Sequence, residues 1–253
     1  MSNVYLVYFS PTGGTEKALR LLADAWEGEK KTVDLSLRDA AARTPAFAKE
    51  DVCLVAVPSY GGRVPALAAG RIKELAGNGA KAAAVVVYGN RAYEDTLVEL
   101  CDLLTEAGFA VRAGAAAVAE HSIMRQYAKG RPDEADEKTL RGFSAKIKAA
   151  LESEDPAPAF PGNRPYKQWG GSKSYPEADD TCVGCETCAR LCPAGAIPFD
   201  APSETDTAKC ISCMRCIAVC PAGARSLDAA SVAAMAERMK AVFATRKEPE
   251  LFV

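Results

Sequence analysis

Eight of the ten cysteines lie between Cys182 and Cys220, and they repeat one spacing twice. The first half reads Cys182-x-x-Cys185-x-x-Cys188-x-x-x-Cys192-Pro193, and the second Cys210-x-x-Cys213-x-x-Cys216-x-x-x-Cys220-Pro221. Each cysteine recurs 28 residues later, as does the tail Pro-Ala-Gly-Ala, so the segment is an internal duplication. A loop of this spacing wraps three thiolates around one face of a cubane cluster, and the fourth cysteine, carried off on a helical turn, ligates the other cluster. The expected sets are Cys182, Cys185, Cys188 and Cys220 for one 4Fe-4S cluster, and Cys210, Cys213, Cys216 and Cys192 for the second.

Disulfides fit poorly, because they mark small secreted domains and this chain is of middle size with no recognisable signal peptide. Zinc sites pair two Cys-x-x-Cys hooks across a spacer, without a third cysteine two residues on and a fourth followed by proline. From 177 to 228 the sequence resembles the bacterial two-cluster ferredoxins. Between Glu177 and Asp228 acidic side chains outnumber basic ones eight to four, and clusters held by thiolates add further negative charge. Such a face suits basic patches on redox partner proteins and argues against nucleic acid.

At 253 residues the chain calls for a second domain beside so small a repeat. The longest apolar run, Ala80 to Tyr88, is too short to span a bilayer. Met1-Ser2-Asn3 leads into Val4 to Phe9 without a basic segment or cleavage site, so a cytoplasmic protein is expected.

Val4 to Phe9 has the β-branched and aromatic character of a strand covered on both faces. It runs into Ser10-Pro11-Thr12-Gly13-Gly14-Thr15 and then a helical pattern. There glycines let backbone N–H groups converge, the helix start adds its positive end, and hydroxyls donate further bonds, which together make a phosphate site. Neither a Walker lysine nor Gly-x-Gly-x-x-Gly is present, which speaks against nucleoside triphosphates and NAD. Further strands are expected at Lys31 to Leu35, Asp51 to Val57, Ala80 to Tyr88 and Phe109 to Ala119, with helices between them and a last one from Asp133 to Leu151. This alternation predicts a doubly wound α/β parallel sheet of five strands. In the order 2-1-3-4-5, the loops after strands 1, 3 and 4 open on one crevice.

Residues 3 to 151 resemble the flavodoxins, whose phosphate loop reads Ser/Thr-x-Thr-Gly-x-Thr. The resemblance implies FMN, with its phosphate on Ser10, Thr12, Gly13, Gly14 and Thr15. The ring would lie between Pro58-Ser59-Tyr60-Gly61-Gly62-Arg63 and Gly89-Asn90-Arg91-Ala92-Tyr93, with Tyr60 stacked on it. Flavodoxins surround the ring with acidic residues, whereas these loops carry Arg63 and Arg91 and no carboxylate before Glu94. The two cations are therefore expected to favour a reduced, anionic flavin. His121, the single histidine, is placed past strand 5 to serve as a proton source. Cys53 and Cys101 read as inert core residues.

The expected organisation is a flavodoxin-like FMN domain (1–152), a Pro/Gly-rich linker (153–176), a small α+β bacterial-type ferredoxin domain (177–228), and a C-terminal amphipathic helix and tail (229–253). In the linker, Tyr166 and Trp169 suggest pinning against a domain, over the flavin. In the last segment Val232, Met235, Met239 and Val242 recur at helical spacing. The combination resembles flavodoxin-like proteins fused to a two-cluster ferredoxin, an iron–sulfur flavoprotein family of anaerobic bacteria. It implies electron transfer between FMN and two 4Fe-4S clusters, coupled to a partner redox protein. A reductase passing electrons to a small-molecule acceptor, such as a quinone or nitro compound, is the alternative, and a redox-sensing module the third. A homodimer is compatible with any of them.

Overall fold

The structure is a computed structural model that describes residues 3–253. Met1 and Ser2, counted in the expected N-terminal domain, lie outside the described residues. The chain runs β1 (Val4–Tyr8), α1 (Gly14–Leu22), β2 (Lys31–Asp34), α2 (Ala40–Arg43), β3 (Val52–Pro58), α3 (Ala66–Lys73), β4 (Lys81–Tyr88), α4 (Thr96–Glu106), β5 (Ala110–Val118) and α5 (Glu134–Glu152). After the linker come β6 (Glu177–Ala178), α6 (Thr187–Leu191), α7 (Arg215–Val219), β7 (Arg225–Ser226), α8 (Ala229–Phe243) and β8 (Glu250–Phe252). Among the described residues no helix is long and apolar enough to cross a membrane.

The first five strands are parallel in the order β2-β1-β3-β4-β5. Successive residues alternate between two cores because the side-chain period of a strand is two. Tyr5, Val7, Phe9, Val55 and Val57 face one core, filled from α3 and α4 by Ile72, Leu97, Leu100 and Leu104. Leu6, Tyr8, Leu54 and Ala56 face the other, filled from α1 and α5 by Leu19, Leu22, Leu140 and Ile147. Cys53 and Cys101 are buried, and burial pushes the Cys101 thiol up to about 12.

The sheet has a sixth strand that the sequence reading missed. β8 pairs antiparallel with β5, through Gly114 to Ala116, and covers an edge that would otherwise leave unpaired N–H and C=O groups. Three residues carry too short a pattern to announce a strand.

Before reaching that edge the tail is fastened by Asn90. Its Nδ2 donates to the carbonyls of Phe243 (3.2 Å) and Thr245 (3.0 Å), and its Oδ1 accepts from the Lys247 amide (2.9 Å) and Arg131 Nη1 (3.2 Å). Arg246 completes the attachment on Asp133 and Asp136. α8 lies on the strand 5 loop: Val232, Met235 and Met239 pack with Ile123, Met124 and Tyr127, and Phe243 stacks on Tyr127 at 4.3 Å. Val242 was expected in that stripe but is 48% exposed; Ala236 and Phe243 complete the buried face instead.

In the cysteine-rich unit the duplication is visible in the backbone. Glu186 and Met214, 28 residues apart, both start their helix from left-handed φ (57° and 62°). Gly184 and Ser212 are a second such pair (67° and 54°), and Gly195 and Gly223 a third (62° and 66°). β6 and β7 close the unit as an antiparallel pair.

Asn90→Ala removes four hydrogen bonds and leaves buried carbonyls without donors, so a loss of about 2–4 kcal/mol is expected. Hydrogen exchange should show residues 244–253 opening ahead of β1, β3 and β4. Uniform exchange across the chain would contradict the role given to Asn90.

Candidate functional site

The carboxyl ends of β1, β3, β4 and β5 open into one cavity of about 1380 Å³, larger than the roughly 300–1,000 Å³ of ordinary small-molecule sites. Its walls come from the three expected loops, the linker from Lys167 to Tyr175, the Cys210–Ser212 stretch of the second cysteine repeat, and α8.

From the first loop, Thr12, Gly14 and Thr15 line the cavity. Gly13, at φ 87°, starts α1. Ser10 is committed elsewhere: its Oγ accepts from the Glu16 amide (3.0 Å) and its own amide donates to Ser36 Oγ (2.6 Å). It shapes the turn from behind and does not line the cavity.

From the second loop Pro58, Ser59, Tyr60, Gly61 and Arg63 line the cavity. Tyr60 and Arg63 exchange both backbone hydrogen bonds (3.0 and 3.2 Å), closing a tight turn over Gly61 and Gly62. A Cβ on Gly61 would stand 2.3 Å from the Trp169 ring, so this glycine is what lets the indole lie on the turn. Gly62 faces Glu94 instead, where a Cβ would meet the carboxylate at 1.8 Å. Burial, with Cys213 close by, holds the Tyr60 hydroxyl well above its ordinary pKa.

From the third loop Gly89 and Arg91 line the cavity. Asn90 and Tyr93 do not: the Asn90 side chain holds the C-terminal tail, and Tyr93 packs on Tyr88 at 5.3 Å with its hydroxyl 3.2 Å from Glu250. Of this loop, then, the structure brings Gly89 and Arg91 to the cavity and turns the Asn90 and Tyr93 side chains elsewhere.

The two arginines are not free cations. Arg63 makes a bidentate pair with Glu99 (2.7 Å on both oxygens) and donates to the Lys167 carbonyl (2.6 Å), and Arg91 pairs with Glu94 (3.0 and 2.9 Å). Glu94 is held below its ordinary pKa by Arg91 and Lys167. Both carboxylates return from α4 or its approach, and neutralised pairs give little net field at the cavity.

His121 lines the cavity beside Gly89, but as a neutral group. Its Nδ1 accepts from the amides of Ile123 and Met124, both at 3.1 Å, and its ring meets Phe243 at 5.4 Å. Burial and the nearby Arg91 charge lower its pKa to about 4. With Nδ1 accepting from two amides, the neutral ring carries its proton on Nε2, and those bonds fix its orientation at the cavity wall.

The linker is pinned, as its aromatic residues suggested. The buried carboxylate of Asp95 accepts from the Asn163 amide (2.8 Å), Asn163 Nδ2 (3.0 Å) and the Lys167 amide (2.7 Å). Arg164 and Tyr166 bond Asp102, and Arg63 lies over the Tyr166 ring at 4.9 Å. Trp169 is thereby delivered onto the Gly61 turn. Sequence reasoning did not single out Asp95, since a lone acid before a helix carries no sign of a partner some 70 residues on.

The cysteines gather in two groups. Cys182, Cys185, Cys188 and Cys220 line one small pocket with Arg225. Cys192, Cys210 and Cys216 all lie close enough to Cys213 for their charges to act on its thiol. All ten cysteines are free of disulfides. Donor type and grouping therefore suit thiolate-bound iron.

Residues 181–224 match the family model described as a 4Fe-4S dicluster domain. This segment is thus similar to 4Fe-4S dicluster domains, and it follows a sheet of flavodoxin-like strand order. No curated protein sequence matches the chain. Solved structures of similar fold include a rubredoxin oxygen:oxidoreductase from Desulfovibrio gigas (18% identity, TM-score 0.41), with 60% of this chain aligned to 36% of that one. The Megasphaera elsdenii flavodoxin is 21% identical at TM-score 0.39, over 59% of this chain and 99% of that one. An FMN-bound flavodoxin from Fusobacterium nucleatum is 15% identical at TM-score 0.41, over 59% and 98%. The description as flavodoxin-like rests on the strand order itself.

Asp95→Ala leaves the Asn163 and Lys167 donors without their acceptor and is expected to free the linker, at about 2 kcal/mol. Faster proteolysis between 155 and 176 and a red-shifted Trp169 emission would register it; unchanged cleavage would refute the pinning. For His121 the sign follows from its lowered pKa. Between 6.5 and about 4 the unfolded chain binds a proton that the folded chain refuses, so stability falls as pH drops through that window and levels off below it. The loss should be on the order of 3 kcal/mol. As the single histidine, His121 should give one ring NMR signal that stays at its neutral position down to about pH 5; a midpoint near 6.5 would overturn the assignment.

Proposed function

We propose that the protein is an iron–sulfur flavoprotein that carries electrons between FMN and two 4Fe-4S clusters, in exchange with a partner redox protein. The observation that supports it most directly is the shared wall. One cavity is lined by the phosphate-type loop (Thr12, Gly14, Thr15), by Tyr60 and Gly61, and by Cys210 to Ser212 of the second cysteine repeat. In this reading Thr12, Thr15 and the backbone of Gly14 hold the FMN phosphate, and Tyr60, Gly61, Gly89 and Trp169 bound the ring. When bound, FMN supplies one- and two-electron chemistry and each cluster one-electron chemistry.

The residues of the chain position these groups and keep water away from them. Arg71 Nη2 donates to the Pro193 carbonyl (2.8 Å), and Arg38 lies over Phe199 at 5.4 Å, so that α3 and the loop after β2 grip the cysteine-rich unit. Ile211 packs onto the sheet core beside the cavity. The set Cys210, Cys213, Cys216 and Cys192 is thereby the inner one. Cys185 of the other set is exposed and Val183 is 71% exposed, which makes that side the docking face for a partner with a basic patch.

A second reading is favoured by the far wall of the cavity, where Val232, Met235 and Met239 of α8 stand beyond the ring loops. An apolar extension of this kind suits a quinone or nitro compound reduced at the flavin. Steady turnover with such an acceptor and no protein partner would favour it over the electron carrier.

Anaerobic reconstitution should load about eight irons with one FMN per chain; four irons or fewer, or no flavin, would overturn the assignment. The crossed ligand sets make a sharper expectation. Cys220→Ser should impair the cluster of the first repeat, and Cys192→Ser that of the second, each seen as loss of one of two EPR signals. Loss of the uncrossed signals would refute the sets.

A further inference from the structure

Among the positions where the two copies differ, one brings a charge into the interior. Arg225 stands 28 residues after Ile197, so the same site of the repeat holds an aliphatic side chain in one half and a guanidinium in the other. Both are buried, Ile197 at 3% exposure and Arg225 at 2%. Ile197 packs with Cys188 and Cys192, in a cluster that Cys210 and Cys216 adjoin. Arg225 lines the pocket of Cys182, Cys185, Cys188 and Cys220, and it also lies near enough to Cys210 and Cys216 for its charge to act on both.

The surroundings of Arg225 are unusual for a cation. Nη1 donates to Thr205 Oγ1 (2.8 Å) and the Pro176 carbonyl (3.2 Å), and Nη2 to the carbonyls of Pro202 (2.6 Å) and Glu204 (2.8 Å). Among the described residues no carboxylate pairs with it, and its buried Nε has no hydrogen-bond partner. Arginine does not shed its proton in a protein, and an uncompensated buried charge costs several kcal/mol. The three carbonyls and the hydroxyl orient the group, but none of them supplies a negative charge. Thiolates beside it would, and an oxidised cluster with four of them carries about two negative charges.

We propose that Arg225 is the buried counter-charge of the cluster held by Cys182, Cys185, Cys188 and Cys220, and that it raises the reduction potential of this cluster above that of its twin. This rests on the ligand sets proposed above. Reduction adds one electron and no proton, so the site gains one negative charge beside a fixed cation in a medium of low dielectric constant. Ile197 brings the other cluster no charge of its own, so that cluster has only the share of Arg225 that reaches Cys210 and Cys216. The outer cluster is then the better electron acceptor of the two, and two otherwise matched sites become a downhill pair directed from the cavity to the docking face.

The test is an EPR-monitored redox titration of the reconstituted holoprotein carrying Arg225→Ile, Arg225→Gln or Arg225→Lys. The neutral variants should lower the potential of one cluster at least tenfold in its one-electron equilibrium, about 59 mV, with the other shifted less. Arg225→Lys, which keeps the charge and loses most of the carbonyl network, should stay nearer the parent protein. Unchanged potentials in both neutral variants, or a lysine variant that falls as far as they do, would overturn the proposal. If neither neutral variant assembles both clusters, assembly in Arg225→Lys supports the counter-charge, and its failure too marks Arg225 as a structural knot and sinks it. A parent protein that binds fewer than two clusters would fail the ligand sets first, a result visible in its iron content.

Discussion

The cavity has a roof because Asp95 carries a charge where the chain needs an acceptor. Its carboxylate is buried at the start of α4 and takes three donors from Asn163 and Lys167. Burial alone would raise its pKa; those donors, and the nearby Arg63 charge, hold it below the ordinary value. Phe160 of the linker packs on the sheet core beside Gly114, and directional bonds to Asp95, Asp102 and Glu94 fix the stretch that follows. Once those are made, Trp169 is on the Gly61 turn and Pro176 is at the edge of the cysteine-rich unit, where its carbonyl accepts from Thr205 and Arg225. The placement of the cysteine-rich unit over the sheet edge follows from a few charge-assisted hydrogen bonds more than from a shared core.

What could be read from the sequence was whatever had a local period or a local spacing. Strand burial on two faces, the hydroxyl-rich turn and the cysteine duplication each complete their pattern within about 40 residues, as elements and repeats do. The doubly wound parallel sheet followed from them, and the flavodoxin resemblance supplied the strand order and with it the common opening of three loops. What escaped was pairing at long range. Arg63 looks like a free cation beside a flavin until Glu99, 36 residues on, folds back on it; the Arg91–Glu94 pair is local, three residues apart. Asn90 looks like a loop residue at the ring until the tail 150 residues later takes its side chain. The protonation of His121 was equally hidden, because it depends on two amides and on Phe243 arriving from α8.

The tail is an instance of one constraint answered by an unrelated part of the chain. β5 ends the parallel sheet, and a bare edge invites pairing with another chain. β8 closes it, and the route it takes from α8 runs past Asn90, Arg131 and Asp136. Buried Arg131 and Asp136 form an ion pair that a lone partner could not sustain; Asn90 and Arg246 satisfy it from both sides. Thus the side chain that the flavodoxin resemblance placed at the ring serves instead to join the first domain to the last residues, and the cavity gains α8 as a wall.

Departures from symmetry within the duplication deserve separate weight, because two copies in the same fold are each other's control. Gly184 and Ser212 share a left-handed backbone that favours glycine, yet the second copy carries serine, whose hydroxyl lies 3.3 Å from the Ser172 carbonyl in the cavity wall. The strained choice sits where the unit meets the linker. Ile197 and Arg225 depart in the other direction, at the far cysteine set, and there the change is one of charge. A backbone repeated this closely holds geometry constant while side chains vary, so the two departures separate what the duplicated fold requires from what each cysteine set requires of its own surroundings. On the inner side the requirement is a joint to the rest of the molecule. On the outer side it is a positive charge, placed out of water, next to thiolates.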